Sequence, residues 1–252
     1  RLRVTAGESV TDPRGAFPYA LSITENDSLI VDAVPRSGGP IAFDVRDTLS
    51  IEAAVRTDSD VSIRANNFKQ SSPVITRSGS ITIEATDLAI RNSLQVLAAP
   101  LDDDRVDISL TATNGAVDLE GLVEAPNAIE IRQIDASGAS GVGGASRLSA
   151  GRLRIQADGS IDLATDVESA VASSEFGGIS ISERNDIRFT NLSASNGTIS
   201  LEAMGVDLGA EADNPIALSA RILAANAIVA SAPNGSMDVR VDSSDDIDLG
   251  LE

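Results

Sequence analysis

The chain has no cysteine, no histidine and no tryptophan in 252 residues. Without histidine there is no imidazole base for a Ser-His-Asp or Cys-His nucleophile, and no HExxH zinc site. Without cysteine there are no disulfides, thiolate metal centres or iron–sulfur clusters. Aromatic residues are scarce as well: five Phe and a single Tyr, Tyr19. Lysine occurs once, as Lys69; the other eighteen basic residues are arginine. No uninterrupted apolar run approaches the roughly 18 residues a helix needs to cross a bilayer, so no membrane insertion is expected.

What is present is acid. The chain carries 38 Asp and Glu against 19 Lys and Arg, a formal net charge of -19. A field of that sign repels polyanions, which argues against nucleic acid and anionic membrane surfaces as partners. The 42% hydrophobic share is enough for a core. With so few aromatics that core must be built from Ile, Leu, Val and Ala, which suits a narrow interior of stacked, branched side chains. A chain of this length forms one domain, residues 1–252, if the fold is all-β. It opens at Arg1 and closes on Leu251-Glu252, a pair often left by a cloning site ahead of a purification tag. An excised piece of a longer protein is the expectation.

Internal repetition is the strongest signal. A glycine turn followed by apolar-polar-apolar recurs as Asn114-Gly115-Ala116-Val117-Asp118-Leu119, Asp158-Gly159-Ser160-Ile161-Asp162-Leu163, Asn196-Gly197-Thr198-Ile199-Ser200-Leu201 and Asn234-Gly235-Ser236-Met237-Asp238-Val239. Ser78-Gly79-Ser80-Ile81-Thr82-Ile83 reads as a fifth copy. Gly159 to Gly197 is 38 residues and Gly197 to Gly235 is 38 again, with Gly178-Ile179-Ser180-Ile181 and Pro215-Ile216-Ala217-Leu218 near the midpoints. The underlying step is therefore 19. Looser spacing between Gly115 and Gly159 places extra residues in the glycine-rich stretch from Ser137 to Gly144.

The first third keeps a step of 20 in two registers. Ile41–Val45 aligns with Val61–Ala65 and Ile81–Ala85, while Leu29–Ala33 aligns with Leu49–Ala53. Apolar and polar residues alternate within each copy, the pattern of a half-buried strand. An all-β parallel β-helix with coils of about 19–20 residues follows, about twelve coils over the whole chain and roughly 55 Å long at the usual strand spacing. Ile41, Val61 and Ile81 form one interior stack in this reading, and Phe43, Ile63 and Ile83 the next. Asp44, Arg64 and Glu84 alternate in charge outside. A β-sandwich is the alternative, because Asn-Gly and Asp-Gly also close hairpins.

From about Leu29 to Leu249 these glycine-turn, cysteine-free coils resemble the right-handed parallel β-helices of large bacterial surface proteins, namely filamentous-haemagglutinin-like adhesins and autotransporter passengers. The resemblance implies a secreted, extracellular or cell-surface rod without enzymatic activity, which spans distance or presents a surface to other surface proteins or glycans. Open strand edges at its ends imply end-to-end self-association. A carbohydrate-active β-helix enzyme, a polysaccharide lyase or hydrolase, is the alternative function.

No catalytic residues and no cofactor are assigned. Glycosidase chemistry needs two carboxylates about 5–10 Å apart, and among so many acids some pair meets that spacing by accident. Calcium is the one metal with a case, since Asp102-Asp103-Asp104, the group Asp242, Asp245, Asp246 and Asp248, and the pair Asp58 and Asp60 offer hard oxygen ligands. Neither an EF-hand loop nor the calcium-binding nonapeptide repeat is present, so solvated turns are the expectation. Asn114, Asn196 and Asn234 share a register and are expected to stack as an internal amide ladder. Phe43 falls on an interior position, whereas Phe17, Phe176 and Phe189 have no assigned place. Asn66-Asn67-Phe68-Lys69-Gln70 leaves the repeat and reads as an ordinary corner insertion, with a protruding loop as the alternative.

Overall fold

The computed structural model describes residues 20–32, 36–99, 105–135, 138, 140–184 and 188–203, followed by the short strands Ala217–Leu218, Arg221–Ala224, Ile228–Ser231, Asp238–Val239 and Leu249–Gly250. Among these residues there is no helix, and every strand pairing is parallel. Twenty-two strands belong to one continuous sheet wound into a β-solenoid of about eight turns. At one strand spacing per turn, eight turns make a rod of about 38 Å. Parallel pairing excludes the sandwich, whose sheets are antiparallel.

Each coil lays strands on three faces. On the first face Leu21, Ile41, Val61, Ile81, Ile108, Ile129, Leu153 and Ala170 stand in register. On the second the column runs Leu29, Leu49, Phe68, Leu88, Val117, Val142, Ile161, Ile179, Ile199. The third carries Val55, Val74, Leu94, Val123, Leu148, Thr165 and Glu183. Period-two alternation drives this arrangement: in Val61–Gln70 the residues Val61, Ile63 and Ala65 are buried, while Ser62, Arg64 and Asn66 are exposed. Each fully buried Ile or Leu contributes about 1.5–3 kcal/mol of transfer free energy. One side chain stacks on the next along the axis, so the core is a filament rather than a ball.

The expected interior stacks are present. Ile41, Val61, Ile81, Phe43, Ile63 and Ile83 are all at most 2% exposed. Outside them Asp44, Arg64 and Glu84 share a column, and Arg64 Nη2 donates to both carboxylate oxygens of Glu84 at 3.2 Å.

Four expectations are corrected. Asn66–Gln70 is neither insertion nor loop: it completes the strand Val61–Gln70, with Phe68 buried between Leu49 and Leu88. The repeat looked broken there because Arg46 and Asp47 oppose the single residue Asn66, a register shift that leaves the alternation intact. The Ser78–Ile83 copy belongs to the first face, whereas Asn114, Asp158 and Asn196 precede second-face strands. A glycine turn precedes strands on more than one face, so the motif alone does not identify the face. After Gly197 the expected step is not kept: Ile199 pairs with Ile228, well past the Pro215–Leu218 copy, while Ala217–Leu218 pairs with Asp238–Val239 in a separate two-stranded sheet. Finally, Asn114 and Asn196 are exposed, and Asn196 Nδ2 donates outward to the Glu175 carbonyl of the preceding coil at 2.7 Å. The amide stacks on the outer surface of the corner.

Coil length divides the rod. Coils 1–4, beginning at residues 21, 41, 61 and 81, advance by a nearly constant step on every face. The third corner of coils 1–3 is sealed by an inward column of hydroxyls, Ser37, Thr57 and Thr76. Thr57 Oγ1 donates to the Gly39 carbonyl at 2.7 Å, and Thr76 Oγ1 to the Ser59 carbonyl at 2.5 Å. Each also accepts a backbone N–H from its own turn, from Ser59 and Gly79 respectively. Buried turn groups thereby keep partners. The column stops at Val96, which pairs with Thr76 and has no hydroxyl to give. There the corner expands, and the step from Leu94 to its partner Val123 is the longest on the third face.

Coils 5–8 begin at residues 108, 128, 152 and 169. A second insertion, within the expected Ser137–Gly144 stretch, lengthens the second-face step from Val117 to Val142. It ends at Gly144, whose φ of +136° and absent Cβ let the backbone approach the Leu119 carbonyl. The third corner then collapses. Val142–Ala157 and Ile161–Ser174 run unbroken from the second face through the third and back onto the first. Leu148 pairs with Thr165 and Thr165 with Glu183, two of the shortest steps in the ladder. A shorter coil encloses less space, and the first-face interior positions shrink to Ala170 and Ala172.

Candidate functional site

Along the third corner of coils 4–7, where the steps between coils are unequal, lies a cleft of about 450 Å³. Its ledge is Val96 and Leu97, its wall includes Ala125, Ala150 and Val167, and Glu124, Asp166 and Glu168 stand along it. It spans four coils, roughly 14 Å of axis at the strand spacing. Leu97 is 57% exposed, the most exposed of the large hydrophobic side chains among the described residues.

Each carboxylate is placed by the ladder. Glu124 and Asp166 are outward positions of the third face, each paired in register with Ser149 between them. Glu124 accepts a hydrogen bond from Gln95 Nε2 at 2.8 Å. Asp166 is joined by Arg147 through its Nη2. Glu168 sits at the tight corner between the third and first faces, exposed, with no ion pair or hydrogen bond to another described residue. The lining contains no basic residue and no aromatic one.

A smaller depression of about 370 Å³ lies on the second face beside Ser50, Glu52, Lys69, Gln70 and Arg91. Arg91 is already committed to Asp118, at 2.7 Å, and to Glu120. Gln70 is fully buried, and its Nε2 donates to the Ser72 and Ser93 carbonyls at 2.8 Å. Its amide thus closes the second corner much as the threonines close the third.

Other buried polar groups hold the coils together. Asp107 accepts from Arg105 Nε at 2.7 Å and from the Asn127 backbone at 2.8 Å, clipping coil 5 to coil 6. Glu183, 1% exposed, accepts from Thr165 Oγ1 at 2.7 Å and from the backbone N–H of Val167 and Arg184. Gln133 reaches both ways: Nε2 donates to the Gly115 carbonyl, and Oε1 accepts from the N–H of Asp158 and Gly159. These partners satisfy groups whose burial would otherwise be costly.

The candidates read from sequence separate clearly. Asp60 caps a turn, its Oδ1 accepting from Ser80 N at 2.7 Å and Ser80 Oγ at 3.0 Å, and the Asp58 carbonyl accepts from Ser78 Oγ. Both belong to the solvated surface. Asp102–Asp104, Asp242, Asp245, Asp246, Asp248, Asn234, Phe17 and Tyr19 lie outside the described residues, as does the Phe189 side chain. No group of three or more metal-ligating side chains converges among the described residues. Phe176 is 47% exposed and packs against Gly138 of the second insertion. The sequence reading missed Leu97, Glu124, Asp166 and Glu168. The signals for Leu97 and Glu168 were the extra leucine after Leu94-Gln95-Val96 and a corner with no turn residues at Val167-Glu168-Ser169.

Compared with known protein families, with curated proteins and with solved structures, the chain matches none.

Proposed function

We propose that this chain is a non-enzymatic segment of a large secreted bacterial surface protein, acting outside the cell as a rigid stalk or adhesive surface. The observation that carries the reading is the unbroken parallel ladder: strands resume the same columns on each side of two long insertions. A scaffold of that kind holds surface features at fixed intervals along an axis. Partners are other surface proteins or glycans, and the ends of the rod associate with one another. The test is small-angle scattering with and without millimolar calcium. The expected profile is elongated, indifferent to calcium, and longer as concentration rises. A compact particle overturns the rod and the function with it, and a rod that forms only with calcium makes the acidic clusters ligands.

A carbohydrate-active enzyme is the second reading, favoured by the three carboxylates along one cleft. Turnover of acidic or neutral polysaccharides, abolished by Asp166→Asn, would replace the first reading with this one.

A further inference from the structure

We infer that the cleft along the third corner is a docking groove for an extended peptide that carries an apolar side chain at one end of the groove and a lysine or arginine about three or four residues away at the other. The groove goes beyond the proposed role, since it would act the same way on any rod. Three features select the occupant. Leu97 projects from the ledge with more than half its surface in solvent, which asks for an apolar partner. Glu124 and Glu168 stand along the groove with no ion-pair partner among the described residues, Asp166 between them is held by Arg147, and the chain as a whole carries -19, so the occupant is positive. The groove runs about 14 Å along the axis, which about four residues of extended chain would fill.

Other ligand classes fit less well. A sugar ring finds no aromatic platform in the lining. An anion meets Glu124 and Glu168, neither ion-paired among the described residues. A metal ion meets carboxylates already directed elsewhere, Glu124 toward Gln95 and Asp166 toward Arg147. An ammonium or guanidinium group can still approach Glu168, which is free of partners among the described residues, while a leucine-like side chain three or four residues away covers Leu97 at the other end of the groove.

The experiment is fluorescence anisotropy of the full chain with a labelled Lys-Leu-Arg-Leu-Lys peptide and two counterparts, one with Glu for each basic residue and one with Gly for each Leu. Expected is saturable binding of the first peptide alone. Leu97→Ser and Glu168→Lys should each weaken it about tenfold, which is about 1.4 kcal/mol. Both side chains are exposed, so neither change threatens the fold. Asp162→Lys makes the same charge change on the second face of the same coil and should leave binding within twofold. Three results overturn the groove: no binding, equal binding of either counterpart, or an Asp162→Lys loss as large as that of Glu168→Lys. The last would mean diffuse attraction to an acidic rod.

Discussion

Coils 1–4 and coils 5–8 solve the same stacking problem differently. In the first three, each coil repeats the last, its third corner is a loop, and neutral hydroxyls close the inside of that corner, a column that ends at Val96 in the fourth. In the later coils the corner shrinks to Gly151 or Glu168, the first-face interior falls to Ala170 and Ala172 once the coil has shortened, and a carboxylate takes over the sealing role. The difference teaches that length and core volume are coupled through the corner: shortening a coil removes space that only small side chains can match.

Substitutions test that contrast, and unfolding followed by circular dichroism in urea measures them. The largest effect is expected from Ile83→Asp, which places an unpaired charge in a fully buried stack of the regular half. A loss above about 4 kcal/mol, seen as an unfolded or aggregated chain, is the expectation. Next, Thr165→Val removes a donor from the buried Glu183 carboxylate, and should cost about 1.5–3 kcal/mol. Ala172→Ile should cost about 1–3 kcal/mol by overpacking the narrow coil, and a neutral or stabilising result would show that the interior there is not small. Thr57→Val removes only a neutral hydroxyl bond and should cost about 0.5–1.5 kcal/mol. Equal losses from the two threonine variants would erase the distinction between the corners. The least effect belongs to Glu84→Gln, since its partner Arg64 is 67% exposed and surface pairs contribute about 0–1 kcal/mol.

Legibility followed the same boundary. Both registers of the first third could be read because the step is constant and the interior residues they align are apolar: Ile41 over Val61 over Ile81 needs only counting. Phe68 was misread because one residue fewer at the corner breaks the count without disturbing the alternation. The turn asparagines were recognised as stacking residues, but sequence does not say which side of a corner a side chain takes, and Asn196 lies outside. The cleft was invisible for a stronger reason. It depends on Leu97, Glu124, Asp166 and Glu168 coming together on the third face, where the ladder steps from Leu94 to Val123, then to Leu148, then to Thr165. Those three steps differ from one another, so no constant period exists there to count.

Under load, a ladder built this way gives in a definite order. The strands lie across the axis, and each coil is hydrogen-bonded to the coils next to it. Tension along the axis therefore strains the bonds at the terminal coil one after another, like teeth of a zip, instead of shearing a whole ladder at once. A released coil of about twenty residues can stretch to about 70 Å, against the roughly 4.8 Å of axis it occupied when folded. A tethered rod would yield in short steps of large reach, lengthening under a pull while the coils behind the break keep their shape.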